Sequence, residues 1–160
     1  MKKILLILVL AVMCSSVTRA DDLDDGYASY NEGNYTQAME LLLPSAIQGH
    51  AVAQTILGLM YYKGEGVIQD DKEAARWFQK AAKQGHVNAQ YNLGMMYDDG
   101  KGVLRNYLRA HMWFNLAASN GHKKGSRYRE RVAKKMTPSK ISQAQNMAKK
   151  CEKNNYKNCK

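Results

Sequence analysis

The chain has 160 residues, 45% of them hydrophobic, and a formal net charge of +10. Two prolines and an abundance of Ala, Leu and Met argue for an all-helical protein with material for one buried core. CxxC-type redox motifs and zinc-ligand spacings are absent, and beyond the N-terminus no stretch is long or apolar enough to span a bilayer.

Met1, Lys2 and Lys3 make a short positive start, and Ile4 through Met13 form an unbroken apolar run. Thr18-Arg19-Ala20 then offers small residues where a signal peptidase reads, just before Asp21-Asp22. Residues 1–20 therefore read as a secretory signal peptide, too short and wrongly flanked for a membrane-spanning helix. Cys14 follows Ala11-Val12-Met13, where Met replaces the small residue of a lipoprotein signal, so a lipid anchor is not expected. Cleavage after Ala20 would send the mature chain to the periplasm or out of the cell. Its charge is divided. Residues 21–120 carry 8 Lys/Arg against 12 Asp/Glu, and residues 121–160 carry 13 against 2.

A repeat of 36 residues organises the mature chain. Gly49-His50, Gly85-His86 and Gly121-His122 keep this interval, as do Leu57-Gly58 with Leu93-Gly94 and Trp77-Phe78 with Trp113-Phe114. Asn34, Asp70 and Asn106 keep it too. The first helix pair is predicted near 22–32 and 36–48, in a capping unit over 21–50. There Gly33-Asn34 replaces the longer glycine loop, and Pro44 is expected to kink or divide the second helix. The second unit, 51–86, has helices near 51–63 and 71–84. Ala53, Leu57, Gly58 and Tyr61 form one stripe with a gap at Gly58 where a neighbour can approach. Gly64-Glu65-Gly66 stops that helix, Asp70 or Asp71 caps the next, and Ala74, Trp77, Phe78 and Ala81 build its buried face. The third unit, 87–122, repeats this with helices near 87–99 and 107–120. After Gly121 the signature ends, and two plainer helices near 123–135 and 138–150 form a basic cap, the second opened by Thr137 and Pro138. The tail is 151–160. One helix pair cannot hide its apolar face alone, so neighbours must stack.

Ala53-x-x-x-Leu57-Gly58-x-x-Tyr61-x-x-Gly64-x-Gly66-Val67, followed by Ala74-x-x-Trp77-Phe78-x-x-Ala81-Ala82-x-x-Gly85-His86, resembles a complete Sel1-like repeat. Ala89 to His122 is a second copy, and Met136-Thr137-Pro138 leading to Gln143-Ala144-Gln145 is similar to the C-terminal cap of short bacterial members. The resemblance covers nearly the whole mature chain. It implies an α-α superhelix, or solenoid, of tetratricopeptide-like helix pairs, about eight helices in all. It also implies a non-catalytic protein–protein adaptor, often exported. Some cysteine-rich relatives were proposed to bind or hydrolyse penicillin-like compounds, but they pair cysteines inside every repeat. These repeats contain none, so that activity is not carried over.

The same resemblance places a ligand face on Val52, Thr55, Leu59, Tyr62 and Lys63, then on Asn88, Tyr91, Met95, Asp98 and Asp99. These positions lie off the packing stripe and differ between copies while the stripe does not. Exposed Tyr and Met make adaptable recognition surface, with Tyr62 and Tyr91 foremost. Leu59 and Met95 fit a core role equally well.

Chemistry is not expected. Equivalent atoms of successive repeats stand about 10 Å per helix apart, so His50, His86 and His122 cannot converge on a metal and read as turn residues. His111, which replaces Ala75 of the preceding repeat, reads as a tolerated surface residue. Asp70-Asp71 and Asp98-Asp99 border helix ends and do not face each other across a cleft. No Gly-x-Ser-x-Gly elbow occurs, Gly64-x-Gly66 follows no strand, and no cofactor is implied. The basic end offers Lys123, Lys124, Arg127, Arg131, Lys134 and Lys135 to an anionic lipid or envelope polymer, or serves only as a solvated cap. Export disfavours nucleic acid. Arg127 and Arg131 could instead pair with acids on preceding helices. In an oxidising compartment Cys151 and Cys159 are disulfide candidates.

Overall fold

The computed structural model describes residues 20–157 and Cys159. Residues 1–19, with Cys14 and nearly all of the expected leader, lie outside the described residues. Among the described residues there are eight helices and no strand. They are α1 (Ala20–Asn31), α2 (Tyr35–Ile47), α3 (Ala51–Lys63), α4 (Asp71–Ala82), α5 (Val87–Asp99), α6 (Tyr107–Ser119), α7 (Gly125–Ala133) and α8 (Pro138–Lys153). Each of α1 to α6 packs on the next, and α1 also touches α3. None of these helices is long and apolar enough to cross a membrane.

The repeated glycines explain how close the helices of a pair lie. A Cβ on Gly58 would stand 2.6 Å from the Phe78 ring, and one on Gly94 would stand 2.8 Å from Phe114. Both rings are buried in the core beside Ala74, Ala81, Ala110 and Ala117. Gly26 meets Leu42 in the same way, with 2.7 Å from its ideal Cβ to Leu42 Cγ. Leu42, Phe78 and Phe114 are spaced by 36, but Gly26 precedes Gly58 by 32. The reason is the loop after α1, which is four residues shorter than the loop after α3. Unit one is therefore a true repeat with a shortened loop.

Helix ends follow the capping chemistry. Asp70 accepts from the amides of Lys72 and Glu73 at 2.8 and 3.0 Å, Asn106 from Arg109 at 3.0 Å, and Thr137 from Lys140 at 3.4 Å. Asn34 keeps the interval but not the cap, since its carboxamide donates to Glu32. Gly64 and Gly100 take left-handed conformations, φ 73° and 72°, and end α3 and α5. Pro44 does not divide α2. It sits in the last turn, where the lost donor removes a single intrahelical bond, and α2 runs unbroken to Ile47.

A buried amide seam crosses the units. Gln54 donates to the Ala46 carbonyl at 3.0 Å and accepts from Gln84 at 2.8 Å. One unit on, Gln90 donates to Ala82 at 3.4 Å and accepts from Asn120 at 3.0 Å. Asn120 in turn accepts from the Tyr156 hydroxyl at 3.0 Å. Tyr156 is held there by a disulfide between Cys151 and Cys159, and its ring lies against Gly85.

The C-terminal end departs from the repeat more than expected. α7 and α8 both pack on α6, and α8 runs to Lys153, so Cys151 is helical and not part of a tail. His111 is not a surface residue. It is only 2% exposed within the core of α6, and its Nδ1 has no partner among the described residues. Burial lowers its pKa first, with Arg129 adding to the effect, and burial lowers those of His86 and His122 as well. The folded chain therefore favours neutral imidazoles, while the unfolded chain takes up protons below about pH 6.5. Stability is complete above that value and is lost as pH falls below it. The thermal midpoint is expected to be lower at pH 5.0 than at 7.5, with part of the difference removed in His111→Gln. A flat profile between those pH values would contradict this.

Candidate functional site

The first helix of each pair faces a common groove. A cavity of about 470 Å³ is lined by Tyr27, Tyr30 and Asn31 of α1, by Val52, Thr55, Ile56 and Leu59 of α3, and by Asn88, Tyr91 and Asn92 of α5, together with His86 and His122. Five of the ten expected ligand-face residues are among them: Val52, Thr55, Leu59, Asn88 and Tyr91. Tyr62 and Met95 line a smaller adjoining cavity of about 130 Å³ with Phe78 and Met96. Lys63, Asp98 and Asp99 line neither.

The members differ in how free they are. Val52 is 42% exposed and Asn88 is exposed. Thr55 is buried, donates to the Ala51 carbonyl at 2.8 Å, and lies 2.8 Å from Nδ1 of His86. Leu59 and Met95 are half-buried, packing on the core while lining the cavities. Lys63 donates to the Tyr30 hydroxyl at 3.1 Å and pairs with Glu65 at 3.3 Å, which raises its pKa. Burial raises that of Tyr30. The Tyr62 hydroxyl accepts from Lys101 at 3.1 Å.

Tyr91 is not the exposed anchor that its position suggests. It is half-buried, stacked on His122 at 4.1 Å and edge-on to Tyr128 at 5.2 Å, with Phe114 at 5.7 Å. Burial, and then its hydrogen bond to Tyr128, raise its pKa far above the ordinary tyrosine range. Its substitution would loosen the cap as well as the groove.

Asp98 is also removed from the ligand face. Its carboxylate is 2% exposed and receives Arg131 Nη2 at 2.6 Å and Lys135 Nζ at 2.8 Å. Arg131 in addition lies over Tyr128 at 4.2 Å, and Lys135 over Tyr107 at 4.8 Å. Two of the six cations expected to face an anionic surface thus pin the cap to α5. Lys123, Lys124, Arg127 and Lys134 are exposed and form no ion pair among the described residues.

The residues missed by sequence reasoning are Tyr27, Tyr30, Asn31, Ile56, Asn92 and the two groove histidines. Three of them had a signal. The spacing of 32 between Gly26 and Gly58 places Tyr27, Tyr30 and Asn31 at the positions of Leu59, Tyr62 and Lys63. The histidines do end their units, His86 N–H donating to Ala81 and His122 N–H to Ala117, but their rings also line the groove.

Helix pairs stacked in a 36-residue register, with their first helices sharing a groove, define an α-solenoid repeat protein. The Sel1 repeat model matches residues 28–50, 51–86 and 87–122, and the chain belongs to the Sel1 repeat family. Proteins of this family are generally protein-interaction scaffolds and typically non-catalytic. Among solved structures, a protective antigen of uropathogenic Escherichia coli strains displaying an SLR fold is 31% identical, with a TM-score of 0.78 over 84% of this chain and 31% of that one. A Sel1 repeat protein from Oxalobacter formigenes is 36% identical, with a TM-score of 0.64 over 67% of this chain and 44% of its own. The chain thus spans less than half the length of either. No curated protein matches it.

Proposed function

We propose that this chain is an exported, non-catalytic scaffold of the cell envelope or its surroundings, holding a peptide or partner protein in the groove of α1, α3 and α5. The observation that carries this reading is the cavity of about 470 Å³ built from all three helices, with Val52 and Tyr27 42% and 51% exposed beside it. Isolated apolar side chains on a surface mean little, but several converging in one concavity with free amides are what a recognition site requires. The leader at residues 1–20 supports export.

The test is affinity capture from an envelope extract of the producing cells. Mature protein is compared with a Val52→Arg/Asn88→Arg variant, both positions being exposed and outside the core. The expected result is a protein held by the wild type and lost by the variant, with thermal midpoints within about 2 °C, as for surface changes generally. Equal capture by both would remove the groove from the function. A second reading is favoured by the unpaired Lys123, Lys124, Arg127 and Lys134, which can meet an anionic lipid or polymer. Capture that ignores the groove variant and washes away with moderate salt would support it.

A further inference from the structure

The groove does not end at its apolar centre. A second cavity of about 410 Å³ is lined by Asn88, Tyr91 and His122, which also line the first, and by Lys123 and Lys124 at the start of the cap. The concave surface therefore runs continuously from α1 to the loop before α7. Lys123 and Lys124 are exposed there, with no carboxylate in ion-pair range among the described residues. At the other end, α1 carries exposed Asp24 and Asp25. Along the way, the carboxamides of Asn31, Asn88 and Asn92 have no hydrogen-bond partner among the described residues. This contrasts with Gln54, Gln84, Gln90 and Asn120, whose amides are all paired within the fold.

Resting on the groove reading above, we infer that the ligand is an extended peptide segment with an acidic end, bound with that end on Lys123 and Lys124. A side-chain carboxamide offers one acceptor and two donors, so it can pair with both the N–H and the C=O of an extended main chain. Asn88 and Asn92 lie one turn apart on α5 and so present two such groups along one line. At about 10 Å per packed helix, the span from α1 over α3 to α5 is about 20 Å, which some six residues of extended chain would cover. Charge sets the direction. A carboxylate is attracted at the lysine end and repelled at the Asp24-Asp25 end.

The experiment uses mature protein on an array of random octapeptides, each printed with a free and with an amidated C-terminus. Bound peptides are expected to be enriched in Asp or Glu at one end and in Val, Leu or Ile toward the middle. The paired print tells whether a side chain or the chain terminus supplies the carboxylate. Lys123→Glu/Lys124→Glu should weaken the selected peptides by about tenfold and remove the acidic preference, as charge reversal at exposed sites does. Asn88→Ala/Asn92→Ala should weaken acidic and neutral peptides alike. Circular dichroism confirms that each variant is folded.

Peptides selected without acidic enrichment, or an enrichment that survives the lysine reversal, would overturn the inference and leave the groove reading standing. Retention of no peptide would also overturn the inference, and the groove reading would then rest on whether the Val52→Arg/Asn88→Arg variant loses the partner protein held by the wild type. Binding to phosphatidylglycerol vesicles that needs Lys123 and Lys124, with no peptide selected, would assign these lysines to a membrane surface instead.

Discussion

Gly58→Val is expected to lower the thermal midpoint by about 10 °C or more, a loss of about 3 kcal/mol for a domain of this size. The position has no room for even one carbon, since a Cβ would stand 2.6 Å from two atoms of the Phe78 ring. Phe78 is 1% exposed and packed among Ala74, Ala81 and Ala82, so a branched side chain at position 58 displaces a packed ring. Helices α3 and α4 would have to separate, which would open the core of unit two and tilt the groove wall carried by α3. Gly121→Ala is the comparison. Nothing lies within 4 Å of its ideal Cβ, and its φ of 90° makes the cost one of backbone alone, about 1–2 kcal/mol. Thermal unfolding of both variants decides the matter. Equal midpoints would mean that the close α3–α4 approach contributes nothing beyond conformation.

Arg131→Met/Lys135→Met is the second large effect, about 3 kcal/mol by urea unfolding. Each cation alone is about half exposed, and an exposed pair contributes at most about 1 kcal/mol. Losing both is different, because the Asp98 carboxylate then stays buried with no charge to answer it. Either single variant should therefore cost about 1 kcal/mol or less, well under half the double. Asp98→Asn placed on the double variant should restore stability, since it removes the stranded charge. If the triple variant is no more stable than the double, the buried charge is not the cause.

The repeat makes most of the fold readable from the sequence. A period of 36 with glycine, aromatic and capping residues in fixed places has one physical solution, in which small residues admit large ones across each pair. Where the period stops, so does legibility. Tyr91 and Asp98 occupy groove positions by register, yet the side chains that cover them, Tyr128, Arg131 and Lys135, come from α7 and its C-terminal turn, which follow no repeat. His111 takes the place of Ala75, which is itself only 6% exposed, so the position is interior in both copies. The histidine's polarity, not its place in the repeat, is what makes it read as a surface residue. The α1 contribution to the groove was present in the spacing of Gly26 but hidden by the four-residue difference in loop length.

The amide seam carries a consequence for how the array comes apart. Gln54 donates across the unit boundary to Ala46 of α2, while its oxygen is held by Gln84 of its own unit. Gln90 repeats this across the next boundary to Ala82 of α4, with Asn120 as its partner within the unit. A unit that peels away strands a buried donor or acceptor in its neighbour, and such orphans are costly. Unzipping from either terminus therefore meets a step at each unit boundary and not a gradual slope. The clasp of Tyr156 on Asn120 guards the one boundary at which no further unit follows. The array should thus melt as a block, so that a groove shared by three units is either whole or absent.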